Sequence, residues 1–330
     1  MRGRVVLLVS LGIVAASSFA VPGVSAQPDY PDPDPVSGDT VVHDPTMIQR
    51  QDGSYALFST HEGLQMRTSA DGIDWTRTEP ALPAGAAWAS AYTDGGDPAA
   101  LWAPDISYHD GTYWLYYSAS SFGSNHSAIG LATSETGEPG SFQDQGVVYS
   151  TSAGDNHNAI DPNLTVDADG RWWLAFGSHW TGIKMIELDP ATGKPDPDND
   201  TVHDLARRTG DSTAIEAPTV VRQGDDYYLF VSFDTCCAGV DSTYRVMVGR
   251  SDEVTGPYLD ADGVPMSEGG GTEILASHGD RVIGPGGQSV LRAGDTTRLV
   301  YHYYDGAAAG APTLGLNTLE WDSNGWPRLR

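Results

Sequence analysis

The chain has 330 residues and carries 44 Asp+Glu against 18 Lys+Arg, a formal charge of −26. So anionic a protein gains nothing from counterion release on phosphates, which excludes nucleic acid as the expected partner and suits a neutral substrate. Two adjacent cysteines, Cys236 and Cys237, cannot make a disulfide framework, so a large core must carry stability. Either a bridge between these neighbours or two free thiols fits the sequence.

The chain opens with a basic "MRGR", an apolar run from Val5 to Val21 and a small-residue "VSA" ending at Ala26. That is the pattern of a cleaved secretory leader over residues 1–26, and it places the mature protein outside the cell. No later segment is apolar enough to span a bilayer, so no membrane partner is expected. Residues 27–40, "QPDYPDPDPVSGDT", are rich in Pro and Asp and read as a stiff, extended lead-in. From residue 41 to 330 helical periodicity is almost absent. Short aromatic and β-branched runs alternate with Gly, Asp and Asn turns, the pattern of a single all-β domain.

One phrase recurs five times in that stretch. It reads "HDPTMIQRQDGSYALFST" from His43, "APDISYHDGTYWLYYSA" from Ala103 and "IDPNLTVDADGRWWLAFGS" from Ile160. It returns as "EAPTVVRQGDDYYLFVS" from Glu216 and "PGGQSVLRAGDTTRLVYHYYD" from Pro285. Each copy pairs a short apolar strand with an aromatic one across an Asp/Gly turn, and copies start about 56 to 69 residues apart. Third strands follow at "SAIGLATSET", "GIKMIELDP" and "YRVMVGRSDE", and an irregular fourth is expected. Four-stranded units repeated in a ring make a five-bladed β-propeller; a β-sandwich would not explain the repeat. The acidic turn "KPDPDNDTVHD" lacks the Gly and terminal Glu of an EF-hand loop and reads as solvated.

In a propeller the first strand of each unit lines the central channel. The entrances of three units carry acids at matching positions, namely Asp44, Asp161 and Glu216, with Asp105 one or two positions deeper. Converging carboxylates split their protonation states, leaving one ionised as a base and one protonated as an acid, the division that glycosidic cleavage needs. The competing reading is that Asp-Pro and Glu-Ala-Pro only fix strand entries. Trp102, Phe122 and Trp180 fall at strand ends or loops and suit a platform for sugar faces. Trp172, Trp173, Tyr301, Tyr303 and Tyr304 read as blade core.

The ordered set "VHDPTMI", "LWAPDISYHDGTYWLYYSASSFGSNHSAIGLATS", "NAIDPNL", "FGSHWTGI", "AIEAPTVV", "SFDTCCAGVDSTYRVMVGRS", "IGPGGQSV" and "LVYHYYDG" resembles the endo-α-1,5-L-arabinanases of glycoside hydrolase family 43. The resemblance implies an inverting enzyme on a five-bladed propeller, acting as a monomer on plant cell-wall arabinan. It implies Asp44 as general base, Glu216 as general acid and Asp161 as the residue that tunes and orients the acid. It implies a sugar groove lined by Trp102, Phe122, Gly123, Asn158, Ala159, Ile160, Ser178, His179 and Trp180. His302 matches a histidine at a channel-centre calcium ion held mostly through water. Gly287 stands where related sequences often carry His. An exo-acting arabinofuranosidase or β-xylosidase would use the same acids, and a non-catalytic sugar-binding propeller would keep the aromatics.

Overall fold

The computed structural model describes Gly3 and residues 29–95, 99–210 and 212–330. Apart from Gly3, the expected leader lies outside the described residues. Five sheets follow one another along the chain, each built on an antiparallel meander that runs outward from an innermost strand; the short strands Ser37–Gly38 and His61–Glu62 add to the edges of the first and second. The innermost strands are Thr46–Gln49, Ala100–His109, Asn163–Val166, Ile215–Gln223 and Val282–Ala293. We number the blades one to five in that order. The hairpins follow from local chemistry. In blade two, Asp110 (φ 49°) and Gly111 (φ 85°) form a two-residue turn closed by the His109–Thr112 pair. Positive φ at both central residues matches the right-handed twist of the strands, and Asp-Gly supplies it. Blade three has the irregular edge: Lys194–Pro195 and His203–Ala206 both pair with Ile183–Asp189.

Each blade is apolar on both faces, so the core is five separate layers between neighbours. Phe58 and Leu115 pack between blades one and two, and Leu131 and Leu174 between two and three. Trp173 and Leu229 pack between three and four, and Phe230 and Tyr301 between four and five. Leu57 and Trp75 meet Val300 and Leu316, which closes the ring from blade five to blade one. Each such fully buried side chain contributes roughly 1.5–3 kcal/mol.

Closure is also hydrogen-bonded. Residues 29–42 run as a strap from blade five to blade one. Asp34 N donates to Leu316 O (2.7 Å), Leu314 N to Thr40 O (2.9 Å), and Ser37–Gly38 pairs in parallel with Asp74–Trp75.

A polar belt ties the innermost strands together one level below the mouth. Ile106 N donates to Thr46 Oγ1 (3.4 Å), Leu164 N to Asp105 Oδ2 (2.8 Å) and Val220 N to Asn163 Oδ1 (2.8 Å). Thr219 Oγ1 donates to Gln288 O (2.8 Å), and Ser289 Oγ to Pro45 O (2.9 Å). Asp105 therefore belongs with Thr46, Asn163, Thr219 and Ser289. It is not a displaced member of the acid group at the mouth.

Candidate active site

The entry of every innermost strand has the same backbone device. Asp44 (φ 49°), Ala103 (φ 43°), Asp161 (φ 57°), Ala217 (φ 53°) and Gly287 (φ 56°) all sit in the left-handed region, one residue before the belt strand begins in earnest. A Pro follows four of the five. Left-handed backbone at a non-glycine residue costs about 1–3 kcal/mol and persists only where the surroundings impose it. The kink turns adjacent side chains into the channel mouth. It also corrects the sequence register. Asp44 and Asp161 are equivalent, but Glu216 stands one residue earlier, matching His43, Trp102 and Ile160. A bulge follows the entry in blades two, four and five, between Trp102 and Asp105, Glu216 and Thr219, and Gly286 and Ser289. At the fifth entry no side chain fits: a Cβ on Gly287 would lie 2.6 Å from Asp44 Oδ1 and 2.7 Å from the His302 ring.

Asp44 accepts hydrogen bonds from Thr60 Oγ1 (2.6 Å) and pairs with His43 Nδ1 (2.8 Å). Burial alone would raise its pKa. The His43 charge and hydrogen bond, the nearby His302 and the Thr60 hydroxyl outweigh burial and hold the carboxyl well below its usual range. The same pair raises His43, against the burial that opposes its charge.

Asp161 and Glu216 behave in the opposite way. Burial is the main cause for both, and the repulsion among these carboxylates adds to it. Glu216 is pushed up to about 7, while its bond from Ser178 Oγ (2.8 Å) works the other way. Hydrogen bonding places the proton of this pair on Glu216. Asp161 Oδ2 accepts the fixed Ala217 amide (2.9 Å), which favours its ionised form, whereas the Ser178 hydroxyl can rotate to accept from a protonated Glu216. The site thus holds one firmly ionised carboxylate and one proton donor that survives to neutral pH.

These three acids share one cleft of ≈ 1030 Å³. Trp102, Phe122, Gly123, Asn158, Ile160, Ser178, His179 and Trp180 line it as well. Phe122 is 80% exposed and leans on Trp102 with ring centroids 5.3 Å apart, an open apolar plate at the rim. His179 (φ 49°) and Trp180 (φ 36°) are consecutive left-handed residues, and Trp180 lines the same cleft. Asn158 is buried, and its Oδ1 has no partner among the described residues, so it offers an acceptor to a ligand hydroxyl. Ala159 is not in the cleft. It is fully buried between blades two and three, with its amide donating to Thr151 Oγ1 (3.0 Å).

His302 lies beneath the cleft, fully buried. It stacks on His43 at 3.9 Å, and its Nδ1 accepts from Asp44 N (3.1 Å). Burial, then the His43 charge, push its pKa well down, so the ring is neutral as a metal ligand must be. The ligand atoms of His43, Asp44 and His302 lie within 4.8 Å of one another, a donor set that fits a cation. To reach one, His302 would exchange its long contact with Tyr304 Oη (3.3 Å) for the ion.

Some lining residues carried no distinct sequence signal. Tyr304 is part of the cleft and not of the blade core: its hydroxyl meets His43 Nε2 (3.0 Å) and accepts from Cys237 N (2.7 Å). Cys236 and Cys237 are joined as a disulfide and form part of the cleft wall, as do Asp234 and Tyr244. His43 was legible in part, standing beside Asp44 in "HDP".

An all-β propeller with an ionised and a protonated carboxyl at its mouth defines a glycoside hydrolase class of site. The pattern of glycosyl hydrolases family 43 matches residues 34–327, and the chain belongs to that family. It is 47% identical to the extracellular endo-α-(1→5)-L-arabinanase 1 of Bacillus subtilis, over 87% of each chain. It is 39% identical to the extracellular exo-α-(1→5)-L-arabinofuranosidase of Cellvibrio japonicus, covering 87% of this chain and 86% of that one. The solved endo-arabinanase of Bacillus licheniformis superposes with a TM-score of 0.82 at 44% identity, covering 89% of this chain and 99% of that one.

Proposed function

We propose that this glycoside hydrolase is an exported, inverting endo-α-1,5-L-arabinanase. The observation that carries the mechanism is the split at one cleft: Asp44 held ionised, Glu216 holding a proton to about 7. Asp44 takes a proton from water as that water attacks the anomeric carbon. Glu216 gives its proton to the leaving O5 on the other face of the ring. The bond to O5 breaks, the water oxygen becomes the new anomeric hydroxyl, and the configuration inverts. Burial and the Asp44 charge keep Glu216 protonated, and Asp161, held by the Ala217 amide, takes the ionised place in the pair and orients the acid. Thr60 and His43 fix the base, and Ser178 fixes the acid. The Trp102–Phe122 plate and Trp180 bind furanose faces, and Asn158 Oδ1 accepts from a sugar hydroxyl.

The likeness to the B. subtilis endo-arabinanase supports arabinan as substrate and internal attack as mode. We include a calcium ion in the proposal, with His302 giving one nitrogen and water the rest. When bound, it supplies positive charge below Asp44. Exhaustive chelation is expected to lower Tm, and an unchanged Tm removes the ion from the account. Incubation with linear arabinan followed by product sizing tests the main reading. Mixed short oligomers of inverted (β) configuration by proton NMR are expected. Arabinose alone means exo attack, and an α product means retention.

A further inference from the structure

The wall of the cleft contains groups that the hydrolytic mechanism does not use. Cys236 and Cys237 are bridged, and Cys237 Sγ lies 3.6 Å from His43 Nε2. The ligand atoms of His43, Cys236 and Cys237 fall within 4.8 Å of one another. His43 is also oriented as metal-binding histidines are. Its Nδ1 is tied to the Asp44 carboxylate at 2.8 Å, which leaves Nε2 directed at the sulfurs, with only the rotatable Tyr304 hydroxyl (3.0 Å) beside it. In the disulfide the sulfurs are poor ligands. As thiolates they are the preferred donors of thiophilic cations.

We propose that the cleft carries a latent, redox-gated site for a thiophilic divalent cation, built from Cys236, Cys237 and His43, and that its occupation stops hydrolysis. A dithiol reductant opens it. The S–S bond accepts two electrons and two protons, giving two thiols, and the dithiol becomes a cyclic disulfide. Zn²⁺ then displaces to solvent the two thiol protons and the Nε2 proton of charged His43, whose Nδ1–H stays on Asp44, forming two S–Zn bonds and one Nε2–Zn bond. Water takes the fourth position of the tetrahedron. The ion would stand beside the base, draw His43 toward the sulfurs and block the water that Asp44 must activate. In the oxidised protein the site is closed, so the disulfide keeps the cleft insensitive to such metals.

The probe is Zn²⁺ alone, added to the full chain before and after reduction, with the reductant removed under inert gas. Uptake is read by competition with a chromophoric chelator. This readout does not involve catalysis, so its failure is separable from failure of the hydrolytic assignment. The reduced protein is expected to take up one equivalent at least about tenfold more tightly than the oxidised protein, to lose hydrolysis in parallel, and to recover it on chelation. A Cys236→Ser/Cys237→Ser double variant, compared with its own metal-free rate, should lose both the uptake and the inhibition. Should that variant fail to fold, Co²⁺ on reduced wild type decides: thiolate-to-cobalt charge-transfer absorption is expected. Equal Zn²⁺ uptake by oxidised and reduced protein overturns the proposal. So does equal inhibition of the serine variant, or Co²⁺ binding without the thiolate band.

Discussion

Asp105 and Asp161 enter the channel from adjacent blades, the first buried and the second partly open to the cleft, and both have raised pKa values with desolvation as the main cause. Their surroundings divide them. Asp105 accepts from Asn163 Nδ2 (3.0 Å) and Leu164 N (2.8 Å), and the belt around it consists of paired neutral groups. Asp161 accepts from Ala217 N and faces the charges of Glu216 and Asp44. A buried carboxyl whose partners are amide donors is a structural tie between blades. One whose neighbours are other carboxyls has a protonation state that substrate and pH can change. The belt joins the ring, and the acids of the mouth stand two or three residues earlier on the same strands.

Substitutions should separate the two levels sharply. The largest effect falls at the mouth: Glu216→Gln or Asp44→Asn should lower kcat on arabinan by about 10²–10⁴-fold with Tm nearly unchanged, measured by reducing-end release and calorimetry. The belt should respond inversely. Asp105→Ala leaves two donors unpaired, at about 1–3 kcal/mol each, so Tm should fall by several degrees while kcat at a permissive temperature stays within a few-fold. If Asp105→Ala keeps its Tm but loses turnover, the division between the levels fails.

Asp161→Asn sharpens the contrast further. Removing the negative neighbour lowers the pKa of Glu216. Because the acid must be protonated, the alkaline limb of the rate profile should move to lower pH by about 1 unit. An unmoved limb would assign Asp161 to the scaffold with Asp105. The smallest effect is expected for Thr60→Ala. It removes a hydrogen bond to ionised Asp44, so the base pKa rises and the acidic limb shifts upward, with a loss of about 1 kcal/mol, or roughly fivefold, in kcat/KM.

The sequence carried the ring legibly, because each blade repeats a proline-marked entry and an aromatic second strand, and repetition needs no tertiary knowledge. It carried the acids for the same reason. The offset of Glu216 was marked by the extra residue before Pro218, but its consequence was hidden, because only the structure shows that the residue before each Pro is left-handed and that Glu216 therefore matches His43 and Ile160. Asp105 looked like a fourth acid of the group, since only the donors of blade three reveal its role. Tyr304 looked like core because it ends an aromatic strand. Its hydroxyl reaches His43 and Cys237 on the blades to either side, across 261 and 67 residues of chain. Ala159 sits beside Asn158 in sequence, but the strand entry turns one into the cleft and the other into the layer between blades.

In the proposed mechanism Glu216 delivers its proton to the leaving oxygen from a carboxyl held protonated to about 7. The direct test is the pH dependence of kcat/KM for wild type and Glu216→Gln on an aryl arabinoside whose leaving group needs no protonation. The variant is expected to regain most of the wild-type rate on this substrate and to lose the alkaline limb near 7. A variant that stays inactive on it, or that keeps the limb, would contradict the account.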